Sequence, residues 1–358
     1  MRTTPPPSVW GCARASEAKR AALLSLALPA LLLLLPDAAP AGSPRAARAS
    51  RSKEVSTADS SRAGAGADSL PLAFGNPVTL ARNLTGPGRV VEPSGVSVDV
   101  FGRVYVSDAA LHRLQRYDAR GEWLGESGGL GSDPGQMRHP GAVTTLGTLS
   151  VAVLDEENHR VLSYDLFGRL QTTLISFDDL EGELGRLDPA DLAADRGGAV
   201  YVADAERERL LVFDFSGRYL RTLGGLGTQP GAFRGLAGVG VSRRAEIVTA
   251  ERANARVQRL DAGGRVLGAW PIPATGSWGR LPVAVDDSGR VAVADEASGN
   301  LWVFDSGGRL LASLRGLEGP RSLAFARDRT LLVAEAAGGR VRRFSLEGNP
   351  RGGAARGE

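Results

Sequence analysis

From about residue 78 to residue 348, apolar and polar positions alternate with a period of two, in short runs that end on turn residues. Val104 and Val106 fall on one side of such a run and Tyr105 and Ser107 on the other, and the run stops at Asp108. This alternation predicts half-buried antiparallel strands; a helix would need apolar residues three and four apart. Four strands follow in succession, from Pro93 to Asp99, Gly102 to Asp108, Arg113 to Asp118 and Gly121 to Gly129, separated by turns such as Asp118 to Gly121.

The same order then recurs along the chain. An acidic residue closes the second strand at Asp108, Asp155, Asp204, Glu251, Asp295 and Glu335, so the copies are spaced 40 to 49 residues apart. Five residues after each comes Arg113, Arg160, Arg209, Arg256, Asn300 or Arg340, and ten after each comes Asp118, Asp165, Asp214, Asp261, Asp305 or Ser345. Four strands at that period specify the blades of a propeller. The expected fold is therefore all-β, a six-bladed β-propeller over residues 70–349. The last copy lacks a fourth strand after Gly348, whereas Val78 to Leu84 resembles the fourth-strand segment Tyr219 to Leu223. The N-terminal strand is thus expected to close the last blade and remove an open sheet edge.

The repeat resembles the NHL family. Its Pro-x-Gly-Val start is present at Pro93, Gly95 and Val96, its Val-Tyr-Val-Ala-Asp second strand at Val200 to Asp204, and its third strand around Asn158 to Val161. The copies starting at Leu236 and Pro320 match less well, with Glu251 and Glu335 in place of aspartate. The resemblance covers about Val78 to Gly348 and speaks to fold more than to activity. It implies a binding scaffold, and it also raises an enzyme alternative: peptidyl-hydroxyglycine amidating lyase holds zinc with histidines at a propeller mouth, and calcium-dependent lactonases and streptogramin lyases share the architecture. Residues matching the acid, amide or histidine constellations of those lactonases and lyases are not identifiable. Three histidines, His112, His139 and His159, would lie toward one face, but His112 and His159 occupy equivalent turns on neighbouring blades, too far apart to converge on one ion. The acidic stretch Ser176 to Glu183 could supply oxygens to calcium, yet it lacks the regular ligand alternation of calcium loops. No metal or other cofactor is expected.

Composition adds detail to this picture. The 47 glycines against 10 Phe and 2 Met suit many turns and few helices. At the start, Arg14, Lys19 and Arg20 precede the apolar run Ala21 to Leu35, with Pro36 and the small residues Ala39 to Ala41 behind it, the order of a secretory signal over residues 1–41. The run is shorter than a bilayer span and holds Pro29, so no transmembrane segment is expected in a processed chain. Residues 42–69 are rich in Ala, Ser, Gly and Arg and read as a disordered tether, as do residues 350–358 as a tail. These features imply export, to a periplasm, a cell surface or the medium. The single Cys12 lies before the apolar run and would be lost on cleavage, leaving packing rather than disulfides to hold the fold.

The first 69 residues carry 9 of the 43 basic and 5 of the 40 acidic side chains, which leaves 34 against 35 for the rest of the chain. A near-neutral domain without lysine after Lys53 excludes a polyanion-binding role such as the RNA recognition known among tripartite-motif NHL proteins.

A carboxylate and an arginine repeated in every copy answer a need that every blade has, so Asp108, Arg113 and their equivalents are expected to be structural. Function is sought where blades differ, in the linkers that join one blade to the next around the channel mouth. Glu92, His139 and Asp188, next to the first-strand prolines, are expected to point there, with Arg234, Arg280 and Trp278 in comparable places. A mouth of mixed charge with a tryptophan suits a protein, peptide or glycan ligand and a monomeric binding protein without catalytic residues.

Overall fold

The computed structural model describes residues 70–83, 85–242, 244–273 and 279–348. The secretory-signal, tether and tail segments, and Trp278, lie outside the described residues. Among the described residues the chain forms six four-stranded antiparallel sheets and one two-stranded ribbon. It is a six-bladed β-propeller.

Blades 1 to 5 run from the bore outwards in chain order. Blade 1 comprises Pro93–Val98, Val104–Asp108, Arg113–Tyr117 and Trp123–Gly128; blade 2, Pro140–Leu146, Ser150–Asp155, Arg160–Asp165 and Leu170–Ser176. Blade 3 comprises Pro189–Ala194, Val200–Asp204, Arg209–Phe213 and Tyr219–Gly224; blade 4, Leu236–Val241, Ile247–Glu251, Arg256–Leu260 and Val266–Pro271. Blade 5 comprises Val283–Val285, Val291–Asp295, Asn300–Phe304 and Leu310–Leu314. Blade 6 takes Pro320–Phe325, Leu331–Glu335 and Arg340–Phe344 from the C-terminal end and its outermost strand, Val78–Arg82, from the N-terminal end. The closing register sets Val78 opposite Arg343 and Arg82 opposite Arg340.

The apolar cores lie between blades. Val96, Val104 and Val106 of blade 1 pack on Leu332, Ala334 and Val341 of blade 6, so the seam that closes the ring is packed like the other five. Second strands are buried on both faces, as in the five fully buried residues of Val200–Asp204, because each is sandwiched by the neighbouring blades. Beyond the expected blades, Leu72–Phe74 pairs with Leu346–Gly348 as a ribbon, and Phe74 meets Phe344 edge-on with ring centres 5.8 Å apart. The apolar spacing of Leu70, Leu72 and Phe74 is the sequence signal for this extra strand.

All six acidic anchors are fully buried. Asp155 is typical: it accepts the Arg138 amide N–H at 2.7 Å, the Asn158 side-chain amide at 2.8 Å and the Arg160 Nε at 2.8 Å. The Arg160 guanidinium then donates to the carbonyls of Ser132 and Gln136 in the incoming linker. The unit is therefore a clamp on the chain between blades as much as a brace for the turn. Asp204 with Arg209, Glu251 with Arg256 and Glu335 with Arg340 repeat it. Two blades depart from the expected pairing. Asp108 accepts three amide N–H groups, from Val91, Glu92 and Leu111, while Arg113 turns to Glu126 at 2.6 Å. In blade 5, where Asn300 replaces the arginine, Arg252 reaches over from blade 4 to Asp295 at 3.1 Å.

Deleting Val78–Arg82 is expected to lower the thermal midpoint by about 10 °C or more, or to abolish cooperative unfolding, in a calorimetric scan. Arg160→Ala leaves a buried carboxylate without its cation and is expected to cost about 3 kcal/mol in chemical denaturation.

Candidate functional site: a charged network across the channel mouth

The turns between second and third strands and the linkers between blades meet at one mouth of the bore. The first of these turns needs a left-handed residue at its fourth position, and His112, His159, Glu208 and Ala255 adopt it with φ of 48 to 53°, where blades 5 and 6 use Gly299 and Gly339. Two of the three histidines are thus accounted for by turn position. His139 also has a positive φ, 52°, just ahead of the first-strand proline Pro140.

Six charged side chains form two connected groups across this mouth. Arg280, at the entry to blade 5, extends to Glu156 of blade 2, diametrically opposite, at 2.5 Å, and also donates to the Ala190 carbonyl of blade 3 at 3.1 Å. Glu156 receives His139 Nδ1 on its other oxygen at 3.0 Å. Arg321 of blade 6 joins Glu296 of blade 5 at 2.8 Å to Glu92, at the entry to blade 1, at 2.5 Å. The groups are linked through Glu296, whose second oxygen accepts the Arg280 amide N–H at 2.8 Å. Below them, Asp191 bridges two innermost strands by accepting the amide N–H groups of Leu192 and Val239.

Gly141 leaves room for this arrangement. A Cβ there would lie 1.9 Å from the Glu156 carboxylate.

Charge and burial oppose one another at these groups. The hydrogen bond from Glu156 raises the His139 pKa above its ordinary value. Burial pushes Glu156 upward, but the His139 hydrogen bond and the Arg280 charge outweigh it and leave the carboxyl below its usual range. For Asp191, burial outweighs the amide N–H groups of Val239 and Leu192 and the Arg280 charge, and pushes the carboxyl up to about 6.

Of the residues expected at the mouth, Glu92, His139 and Arg280 belong to the network. Asp188 and Arg234 are exposed on its margin, and their backbone amides, donated to Asp204 and Glu251, hold them there. Trp278 falls outside the described residues. Glu156, Asp191, Glu296 and Arg321 were not expected. The signal for two of them is the residue after each anchor, which is Ala109, Ala205 and Ala336 in three blades but Glu156, Arg252 and Glu296 in the others.

The three imidazoles face different partners. His112 Nδ1 accepts the His139 amide N–H at 3.1 Å, His139 binds Glu156, and His159 binds Asp178 at 3.2 Å. The acidic linker folds into a helical turn over Asp178–Leu180 and Glu181–Leu184. Exposed His159, Asp178 and Glu181 come within 4.8 Å of one another there, the sole such metal-compatible group among the described residues. No helix among the described residues is long and apolar enough to cross a membrane.

No protein-family model matches the chain. A curated relative, the protein brain tumor of Drosophila melanogaster, is 25% identical over 139 residues, which is 38% of this chain and 13% of that protein. Solved structures share the fold: a streptogramin B lyase (TM-score 0.56, 11% identity, 76% of this chain and 98% of that one) and a gluconolactonase of Xanthomonas campestris (0.55, 13%, 76% and 89%). The calcium-binding protein regucalcin of Agrobacterium tumefaciens is similar to the same degree (0.55, 16%, 77% and 95%). At these identities the likeness is one of fold alone.

The sign of each pKa shift sets a pH dependence. The His139 contact stabilises fully below the ordinary imidazole pKa near 6.5 and is lost as pH rises through the raised folded value. His139→Gln is therefore expected to lower the thermal midpoint at pH 5.5 and to converge on the parent as pH rises past the raised folded value. For Asp191 the raised value means stability is lost as pH climbs from the ordinary carboxyl range through about 6. Asp191→Asn removes the charge but keeps an acceptor oxygen for only one of the Leu192 and Val239 amides, so its midpoint is expected to lie below the parent's at pH 4 and to gain on it as pH rises to 7.5. A double-mutant cycle of Arg280→Met and Glu156→Gln is expected to show a coupling of about 2 kcal/mol in chemical denaturation.

Proposed function

We propose that this chain is an NHL-type propeller acting as a non-catalytic binding module outside the cytoplasm, taking a protein, peptide or glycan at the mouth that bears the linkers. The observation that carries this reading is the break in sixfold repetition. Anchors and turns recur in every blade, whereas a glutamate follows the anchor in two blades only, and these two, Glu156 and Glu296, meet Arg280 and Arg321 at one mouth. Half-buried carboxylates interleaved with guanidiniums offer acceptors and donors side by side. Peptide ends and sugar hydroxyls ask for that combination. Asp188 and Arg234 would extend the contact outward from this centre.

The fold likeness to lyases and lactonases keeps a metal-dependent enzyme as the alternative. Such a centre needs about three ligand atoms converging on one ion with a position left open, and His112, His139 and His159 each serve a separate contact.

Screening the purified chain on peptide and glycan arrays, with metal content measured on the same undialysed sample, separates the two. The binding reading expects a ligand whose affinity falls at least about tenfold in a His139→Ala, Asp188→Ala, Trp278→Ala variant with an unchanged circular dichroism spectrum. Unchanged affinity in that variant, or stoichiometric zinc with turnover, would overturn it.

A further inference from the structure

The other end of the bore holds a cavity of about 730 Å3, formed where the turns between first and second strands of all six blades come together. Its wall has a regular construction. One residue per blade, at the end of the innermost strand, makes a collar: Val98, Thr145, Ala194, Val241, Val285 and Phe325. Five of the six are apolar. Because Arg280 and Glu156 span the bore at the opposite mouth, the space is a cup with one wide entrance.

Polar groups stand around the collar, and their bonding divides them into two kinds. Asp99 accepts from the amides of Phe101 and Arg103, from Arg103 Nε and from the Tyr105 hydroxyl. Asp286 is engaged in the same way by Ser288 and Arg290, and Asp195 by the Ala199 amide and the Tyr201 hydroxyl. These carboxylates are committed to shaping their own turns, and Asp287 also has a partner. Arg196, Arg327 and Arg329 line the same cavity, are exposed, and form no ion pair among the described residues.

Arg329 carries a second, independent signal. At its place in the turn, blades 1, 3 and 5 have Gly102, Gly198 and Gly289, blade 4 has Ala245 at φ of 57°, and Arg329, the one long side chain among these five, adopts φ of 66°. A long side chain is thus held at a backbone position that glycine fills without strain. Nothing in the turn requires its guanidinium. Its presence at the cup entrance is what the substitution adds.

We propose that this cup is a second ligand site, separate from the linker-bearing mouth, for a small amphipathic anion whose apolar body sits in the collar and whose carboxylate or phosphate is met by Arg327 and Arg329, two guanidinium-bearing residues of one blade 6 turn. The volume is that of a small-molecule pocket, and the pairing of an apolar wall with a few charged groups beside it is what such ligands need. Guanidinium groups bind either oxyanion head group through paired N–H donors.

The test uses octanoate and octyl phosphate as probes, with acetate and octanol as the head-group and chain controls, measured by calorimetric titration of the purified chain. At least one of the two amphiphiles is expected to bind at least about tenfold more tightly than either control, and the tighter of them identifies the head group. Arg329→Gly is the decisive variant, because it separates binding from folding. The thermal midpoint should hold or rise as the strained position is relieved, while affinity for the bound amphiphile falls at least about fivefold. Val285→Trp, which fills the collar, should abolish binding. Failure of both amphiphiles to bind at millimolar concentration, or unchanged affinity in Arg329→Gly, would overturn the proposal.

Discussion

The ring is held in register by carboxylates removed from water. Each blade hides one acidic side chain at the end of its second strand, and that group would destabilise the fold if left alone. It is satisfied from two directions, by amide N–H groups of the chain entering the blade and, in most blades, by an arginine that then caps the carbonyls of the linker. Blade position and linker path are thereby fixed by the same contact. Sheet packing between blades, being nonspecific apolar contact of Val, Leu and Ala, supplies stability without choosing the path of the linkers.

The clamp varies where its local parts vary. Blade 5 lacks the arginine, and Arg252 of blade 4 supplies the charge from outside. Blade 1 keeps Arg113 but satisfies Asp108 with a third amide. Both changes preserve the requirement that the buried charge be paired or hydrogen-bonded while altering who meets it. Neighbouring blades are therefore coupled unequally around the ring.

Most of the fold was legible in the sequence because strand alternation and turn residues are local, and a period of 40 to 49 residues repeats them six times. The closing strand could be read too, since the last copy lacked one and Val78 to Leu84 offered it. The ribbon of Leu72–Phe74 with Leu346–Gly348 was less visible, because the alternation of Leu70, Leu72 and Phe74 is short and lies outside the repeat period. The site was read in part. Linker residues such as His139 and Arg280 stand out by comparing copies, but the contact of Arg280 with Glu156 joins opposite blades, a relation that no repeat alignment displays. Glu156 and Glu296 could have been found by comparing the residue after each anchor. Arg321 and Asp191 emerge only once side chains have direction and reach.

Blade 6 draws its outermost strand from the beginning of the propeller and the other three from its end. During synthesis, Val78–Arg82 emerges before every other blade strand and has no partner until nearly the whole domain has followed. The contact that completes the ring is thus among those with the greatest chain separation, and its loop-closure entropy is met last. A polypeptide stopped short of Arg340 would carry an orphaned strand at one end and an uncapped seam at the other, so quality control that senses exposed strand edges could recognise incomplete chains from either terminus.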